Sequence, residues 1–303
     1  MRAAHATVRK VPHPAPRPVE IRAAAPAPGR IVLRACRPRQ WLKNALVAIA
    51  PGAAGVLTHR HVIMQVVGAF VAFCLLSSAT YLVNDVRDRE QDRRHPRKRF
   101  RPIAAGELRP RGAIRLAALM AIAGLGLATA IRPVLGLVGG GYLALTTTYS
   151  IWWRRIVLVD LAAVSAGFVL RAVGGAAAAD VPLSRAFIVV ISACALFIVA
   201  GKRYAELGAP HPSRATLRRY SRGGLKLLLA SAALVACAAY AWWAFSRAPR
   251  GLSIVPFVLW LGRYRGLVGA GAGEAPEEIV VRDPGLIAFG LAWAALFAAE
   301  VYA

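Results

Sequence analysis

The chain has 303 residues, 57% of them hydrophobic, with a mean hydropathy of +0.51 and a formal net charge of +25. Its apolar residues gather in blocks of about 17–22, the length that crosses a bilayer core, which excludes a water-soluble globular domain and points to a polytopic helical membrane protein. A charge of +25 would suit a nucleic-acid binder, but the cations gather in the loops of one membrane side, so no nucleic-acid partner is expected.

Residues 1–35, rich in Pro and Ala with scattered Arg, read as a disordered basic tail. No short apolar segment followed by a small-residue cleavage site opens the chain, so no cleaved signal peptide is expected. Residues 36–303 read as a single transmembrane domain. The expected fold is all-α, with about nine transmembrane helices in a bundle around a cytoplasm-facing cavity. The spans are 41–58, 62–83, 113–131, 134–152, 157–179, 185–201, 225–246, 252–262 and 285–302. The eighth is the weakest, short and framed by Pro249, Pro256 and Gly262.

With the N-terminus inside, the inner segments hold 33 of the 39 Lys and Arg and the outer loops 5, with Arg171 inside span 5. That asymmetry sets the expected topology as N-inside and C-outside in the cell membrane, facing an anionic leaflet. The chemically rich segments then fall on the cytoplasmic side: residues 37–44, 84–111, 149–155 and 201–207.

Cys36, Cys74, Cys194 and Cys237 form no CxxC pair and read as small apolar packing residues. Gly139, Gly140, Gly141, Gly174 and Gly175 lie in or at the ends of spans and read as close-packing sites rather than phosphate loops. Glu300 reads as an interface residue at the outer end of span 9. Arg171 costs about 2.5–3.5 kcal/mol to insert, so it is expected to face a cavity or a partner. Asp160 is too far along the same span to reach it directly, eleven residues of helix being about 16 Å.

Residues 84–92 stand apart, for they carry four of the fourteen acids. On a helix Asn84, Asp88 and Asp92 share one face with Asp85 beside them, and stacked like charges there need an offsetting partner. One reading is a solvated helix end paired with Arg87, Arg89, Arg93 and Arg94. The other is a hard divalent cation, Mg²⁺, on Asn84, Asp85, Asp88 and Asp92, with the nearby arginines holding phosphate oxygens.

The motif Asn84-Asp85-x-x-Asp88-x-x-x-Asp92 resembles the first aspartate-rich motif of the UbiA superfamily of intramembrane prenyltransferases, where it binds a Mg²⁺–diphosphate complex. A second such motif is typical of the superfamily; here the matching position reads Gly201-Lys202-Arg203-Tyr204-Ala205-Glu206, with one acid, better suited to a phosphate than to a second metal. Together with residues 37–44, 81–85 and 98–106, this is similar to the actinobacterial decaprenyl-phosphate phosphoribosyltransferase branch.

That resemblance implies a pentosyl transfer from phosphoribosyl diphosphate to decaprenyl phosphate, in the lipid bilayer, for arabinan cell-wall precursors. It implies catalytic roles for Asn84, Asp88 and Asp92, and metal-holding roles for these three and Asp85. Substrate contacts are implied from Gln40, Lys43, Asn44, Arg94, Arg97, Lys98, Arg101, Tyr149, Arg171, Lys202, Arg203 and Tyr204. A homo-oligomer is compatible with this reading. The alternatives are a prenyltransferase acting on a prenyl diphosphate and an aromatic acceptor, which needs more acids than Glu206 after span 6, and an anion transporter, which needs inverted repeats absent from the span pattern.

Overall fold

A computed structural model describes residues 27–153, 156–208, 217, 219–247, 251–273 and 275–302. These residues form twelve α-helices and two 3₁₀ segments, with no strand among them. Seven helices are long and apolar enough to cross a membrane: α3 (Arg60–Arg87), α5 (Pro110–Ile131), α6 (Pro133–Ile151), α7 (Val157–Ala179), α8 (Arg185–Gly208), α9 (Arg222–Arg247) and α12 (Pro284–Tyr302). They correspond to predicted spans 2 to 7 and 9. The chain is a multi-pass membrane protein. Its exposed Leu119, Ile122, Leu137, Leu158, Leu227 and Leu234 are the side chains that a lipid surround would cover.

The count of about nine spans is not confirmed among the described residues, where seven helices are long and apolar enough, and the other two spans differ for physical reasons. Predicted span 1 is an 11-residue 3₁₀ helix, Pro38–Ala48, running straight into the five-residue α2, Ile49–Ala53. At about 2.0 Å per 3₁₀ residue and 1.5 Å per α-helical residue the pair still reaches about 30 Å. Predicted span 8 is α10, Ile254–Gly269, of 16 residues, which at 1.5 Å each is about 24 Å long. The disordered tail predicted through residue 35 also needs correction at its end: α1 covers Pro28–Cys36. Residues 1–26 of that tail, and Arg154 and Arg155 of the predicted loop, lie outside the described residues.

So long a 3₁₀ run is uncommon, and here its neighbours hold it. Trp41 Nε1 donates to Ser78 Oγ (3.1 Å), and Asn44 Nδ2 donates to Ser77 Oγ and Cys74 Sγ (3.2 Å each). On the other side α7 comes close enough that a Cβ on Gly175 would overlap the Val47 carbonyl, and one on Gly174 would overlap Phe73. Gly139 packs against Leu76, while Gly140 and Gly141 face open space. The close-packing reading therefore holds for Gly139, Gly174 and Gly175. Gly175→Ala must push the 3₁₀ backbone aside. It is expected to lose about 1–3 kcal/mol, read as a lowered melting temperature of the solubilised protein, whereas Gly140→Ala should leave it unchanged.

Around this inner segment the long helices pack in chain order, α3 on α5, α5 on α6, α6 on α7, α7 on α8 and α8 on α9, with α10 packed on α9 and α12. Of the seven long helices α3 is the most buried and α12 the least. Glu300, expected at the outer end of the last span, ties α12 to the start of α10 by accepting hydrogen bonds from Ser253 N and Oγ.

Candidate active site

The acid-rich segment sits where α3 ends. Asp88 joins α3 to the short α4, Arg89–Arg94, and i→i−4 bonding crosses the junction: Asp88 N to Asn84 O (2.9 Å) and Asp92 N to Asp88 O (2.8 Å). The predicted one-face spacing therefore survives the break. The partners of the acids differ from those expected. Asp85 and Asp92, each 3% exposed, converge on one nitrogen, Arg101 Nη1, at 3.2 and 2.6 Å. Arg37 adds a second ion pair to Asp85. Arg87 instead caps α6 through the Ser150 and Ile151 carbonyls, and Arg93 bonds Glu90 and the Ala104 carbonyl. Asn84 and Asp88 are half-buried.

Arg101 reaches the carboxylates from the loop after α4. There His95 Nδ1 accepts from the backbone N–H of Arg97 (3.2 Å) and Lys98 (3.3 Å), starting the 3₁₀ turn Lys98–Phe100. Partial burial first, and then the charge of Lys98, holds the His95 pKa below its ordinary value, which keeps that nitrogen an acceptor at neutral pH. Arg94 and Arg97 are exposed, and Arg97 lines an open cleft of about 490 Å³ whose other wall is Glu278, Ile279 and Arg282 of α11 (Pro276–Arg282).

No group of three or more His, Cys, Asp or Glu gathers into a closed metal cage among the described residues. The donor set nonetheless suits a hard cation. Two buried carboxylates already close around a single cationic nitrogen, with a carboxamide and a third carboxylate within one turn. Mg²⁺ ordinarily takes one or two carboxylates and completes its shell with water and phosphate. Asn84, Asp85, Asp88 and Asp92 are the residues that would hold it.

A second group lies deeper. Three residues per 3₁₀ turn put Arg37, Gln40 and Lys43 in one row, an alignment begun by the Gln40 N to Arg37 O bond of 2.9 Å. Gln40 Nε2 donates to Glu277 Oε1 (2.6 Å), Lys43 Nζ donates to Gln40 Oε1 (2.5 Å), and Lys43 pairs with Glu277 Oε2 at 3.5 Å. Burial opposes ionisation of Glu277, but Lys43 and the Gln40 amide prevail and hold its pKa below the usual carboxylate range. Asn44 Oδ1 accepts from Arg171 Nε (2.7 Å), whose Nη1 and Nη2 donate to Gly167 O (2.6 Å) and Tyr142 Oη (2.8 Å). Arg171 also lies over the Tyr142 ring, 4.7 Å from its centroid. It is 5% exposed and has no carboxylate partner among the described residues, so a buried positive charge stands there held only by neutral oxygens. Lys202 is half-buried and subject to the charges of Lys43, Glu206 and Glu277.

The third group is closed. Arg203, 2% exposed, holds Asp160, 0% exposed, through Nε–Oδ2 (2.7 Å) and Nη2–Oδ1 (3.0 Å), and Glu206 through Nη1 (2.7 Å). Tyr149 Oη and Tyr220 Oη donate to the same Asp160 at 2.6 and 3.3 Å. Tyr204 packs in the core beside Arg222 and Lys226 of α9. Arg203 and Tyr149 thus lock α7 to α8 and to the end of α6, and their polar groups are turned to Asp160 rather than toward a ligand. The sequence reading missed Arg37 as a clamp, Tyr142 as an Arg171 partner, Asp160 as a hub and Glu277 altogether. The last left one signal, an adjacent acidic pair, Glu277-Glu278, in a chain of net charge +25.

A model of the UbiA prenyltransferase family matches residues 45–278. The chain is 40% identical over 285 residues to a decaprenyl-phosphate phosphoribosyltransferase of Mycobacterium tuberculosis, covering 89% of this chain and 94% of that protein. It is 39% identical over 287 residues to one of Corynebacterium glutamicum, covering 89% and 86%. Among solved structures, a UbiA homologue from Archaeoglobus fulgidus bound to GPP and Mg²⁺ matches with a TM-score of 0.72 at 18% identity, over 90% of this chain and 98% of that one. An apo UbiA homologue from Aeropyrum pernix K1 matches with a TM-score of 0.60 at 16% identity, over 90% and 97%. The helical bundle, the acid-rich end of α3 and these likenesses agree, and the chain belongs to the UbiA prenyltransferase family.

Proposed function

We propose that this protein transfers the 5-phosphoribosyl group from phosphoribosyl diphosphate to decaprenyl phosphate, releasing diphosphate, with its site on the cytoplasmic side of the cell membrane. The observation that carries this is the separation of two stations. One is acid-rich, at Asn84, Asp85, Asp88 and Asp92; the other is cation-rich, at Lys43, Arg171 and Lys202. A prenyl diphosphate has phosphate at one end only. Phosphoribosyl diphosphate has a diphosphate on C1 and a phosphate on C5, and with a lipid phosphate as acceptor the reaction brings together three anionic groups. The names of relatives near 40% identity agree. The inward, cytoplasmic placement rests on the concentration of Lys and Arg in one set of loops.

The residues divide the work accordingly. Asn84 and the carboxylates of Asp85, Asp88 and Asp92 present oxygen ligands, and a divalent ion bound there supplies charge neutralisation of the leaving diphosphate. Arg97, Lys98 and Arg101 take diphosphate oxygens at the rim. Lys43, Arg171 and Lys202 hold the remaining phosphates inside. As the C1–O bond to diphosphate lengthens, an oxygen of decaprenyl phosphate bonds to C1 from the opposite face, inverting it, and diphosphate carries off the electron pair. The second pKa of a phosphate monoester is about 6, so the acceptor arrives ionised and needs no general base. Among the described residues no His–carboxylate hydrogen bond offers one.

Membranes containing the protein, incubated with labelled phosphoribosyl diphosphate, decaprenyl phosphate and Mg²⁺, are expected to form a pentose-phosphate lipid. Formation of a prenylated aromatic product from a prenyl diphosphate instead, with no pentosyl lipid, would replace this reading. Arg171→Met removes the buried charge and is expected to reduce kcat/KM about 10- to 100-fold, a charge-assisted phosphate contact being worth about 1.5–3 kcal/mol. Unchanged kinetics would place the phosphates elsewhere.

A further inference from the structure

Glu277 is a carboxylate set against Lys43 in the cationic group, and the first-order chemistry of that group gives it no purpose. Lys43, Arg171 and Lys202 suit phosphates; a carboxylate among them repels phosphates. Its position is nonetheless well determined. Pro276 opens α11 and is itself buried, Gln40 holds Oε1 at 2.6 Å, and the side chain is 12% exposed. Its other oxygen, Oε2, is buried, and its partner, the Lys43 ammonium, stands at 3.5 Å, the far limit of a hydrogen bond. A carboxylate oxygen has more than one acceptor site, so one cation at that distance leaves room for a closer donor. Phosphate oxygens do not donate at neutral pH; hydroxyl groups do.

The position along the site is also informative. The 3₁₀ row climbs about 6 Å per turn, from Arg37 on Asp85 to Gln40 and then Lys43, both on Glu277. Glu277 therefore lies one to two turns inward of the diphosphate station, on the way to the inner cations. A furanose ring bridging a C1 diphosphate and a C5 phosphate would present its two free hydroxyls over that interval. We infer that Glu277 is the residue that reads the ribose, accepting hydrogen bonds from its 2- and 3-hydroxyls and so setting the donor preference for a phosphoribosyl over a prenyl diphosphate. This rests on the functional reading above. It adds a specificity-determining residue on α11, a helix outside the four chemically rich segments.

The test compares donors in the full-length protein with Mg²⁺ and decaprenyl phosphate. Wild-type protein is expected to use 2-deoxy or 3-deoxy phosphoribosyl diphosphate about 10- to 100-fold less efficiently in kcat/KM than the parent donor, the range for a hydrogen bond to a charged group. Glu277→Ala is expected to raise KM for the parent donor by a similar factor while lowering kcat little, and to treat parent and deoxy donors alike within about threefold. Glu277→Asp, which keeps the charge, recovers part of the discrimination. The inference is overturned if wild-type protein uses the deoxy donors as well as the parent, a result that depends on no variant folding. It is equally overturned if Glu277→Ala discriminates as strongly as wild type. Failure of wild-type protein to transfer from the parent donor at all is a different result, and it removes the functional reading itself.

Discussion

Asp88→Ala is expected to lower the transfer rate about 1,000-fold, the several kcal/mol that a ligand to a charge-neutralising metal ion supplies, while leaving the melting temperature close to wild type. The reason lies in how the four polar residues of the segment are divided. Asp88 is half-buried at the α3–α4 junction, and the backbone bonds on both sides are made by main-chain atoms that an alanine keeps. Asp85 is different, for it is 3% exposed and carries ion pairs to both Arg37 and Arg101. Asp85→Ala removes a ligand and also leaves Arg37 without its carboxylate beside Arg101, which keeps Asp92. It is expected to cost about 3 kcal/mol of stability in addition to activity, the low end for a broken buried pair because both arginines keep some access to water. The two variants thus separate in a thermal melt although both are inactive in the assay. Full activity in Asp88→Ala would end the metal assignment, and a wild-type melt for Asp85→Ala would show that the arginine clamp contributes nothing to the fold.

How much of this could be read from the chain follows from the range of the interactions. Apolar runs are local, and they placed α3, α5 to α7, α9 and α12 within about four residues, while α8 runs on to Gly208, past the expected end at residue 201. The acid-rich end of α3 was legible for the same reason. The 3₁₀ helix was not, because its stability comes from Ser77 and Ser78 across the interface and from Gly175 on α7. A periodicity argument assuming 3.6 residues per turn has no access to those contacts. The same limit explains the partners. The i, i+4 spacing of Asn84, Asp88 and Asp92 was a correct local statement, yet the carboxylates that share a cation are Asp85 and Asp92, since Arg101 folds back from a loop to reach both. Glu277 meets Gln40 across 237 positions of sequence, a pairing that no local pattern announces.

Asp160→Ala is the second variant with a large expected effect, and it bears on a residue whose type alone is misleading. A Lys-Arg pair after a membrane span suggests phosphate binding, and Lys202 keeps that role in the proposed mechanism. Arg203 differs from Arg171, whose nitrogens lie on neutral oxygens, in that its charge is already matched by carboxylates. Nε and Nη2 lie on Asp160, Nη1 lies on Glu206, and both Arg203 and Asp160 are shut off from solvent. Tyr149 and Tyr220 add two more donors to the same carboxylate, so Asp160 joins α6, α7, α8 and the start of α9's approach in one network. Removing the carboxylate leaves a buried guanidinium with Glu206 alone. The expected loss is about 3–5 kcal/mol, seen as poor recovery of folded protein from membranes and a lowered melting temperature. The double variant Asp160→Leu/Arg203→Met replaces the pair by apolar side chains of similar bulk and should recover much of that stability, because the penalty comes from the uncompensated charge and not from the absence of the pair. If Arg203 were instead a phosphate ligand, Asp160→Ala would melt like wild type and lose only donor affinity. The double variant would then be stable and inactive, whereas a structural lock predicts that it regains activity together with its fold.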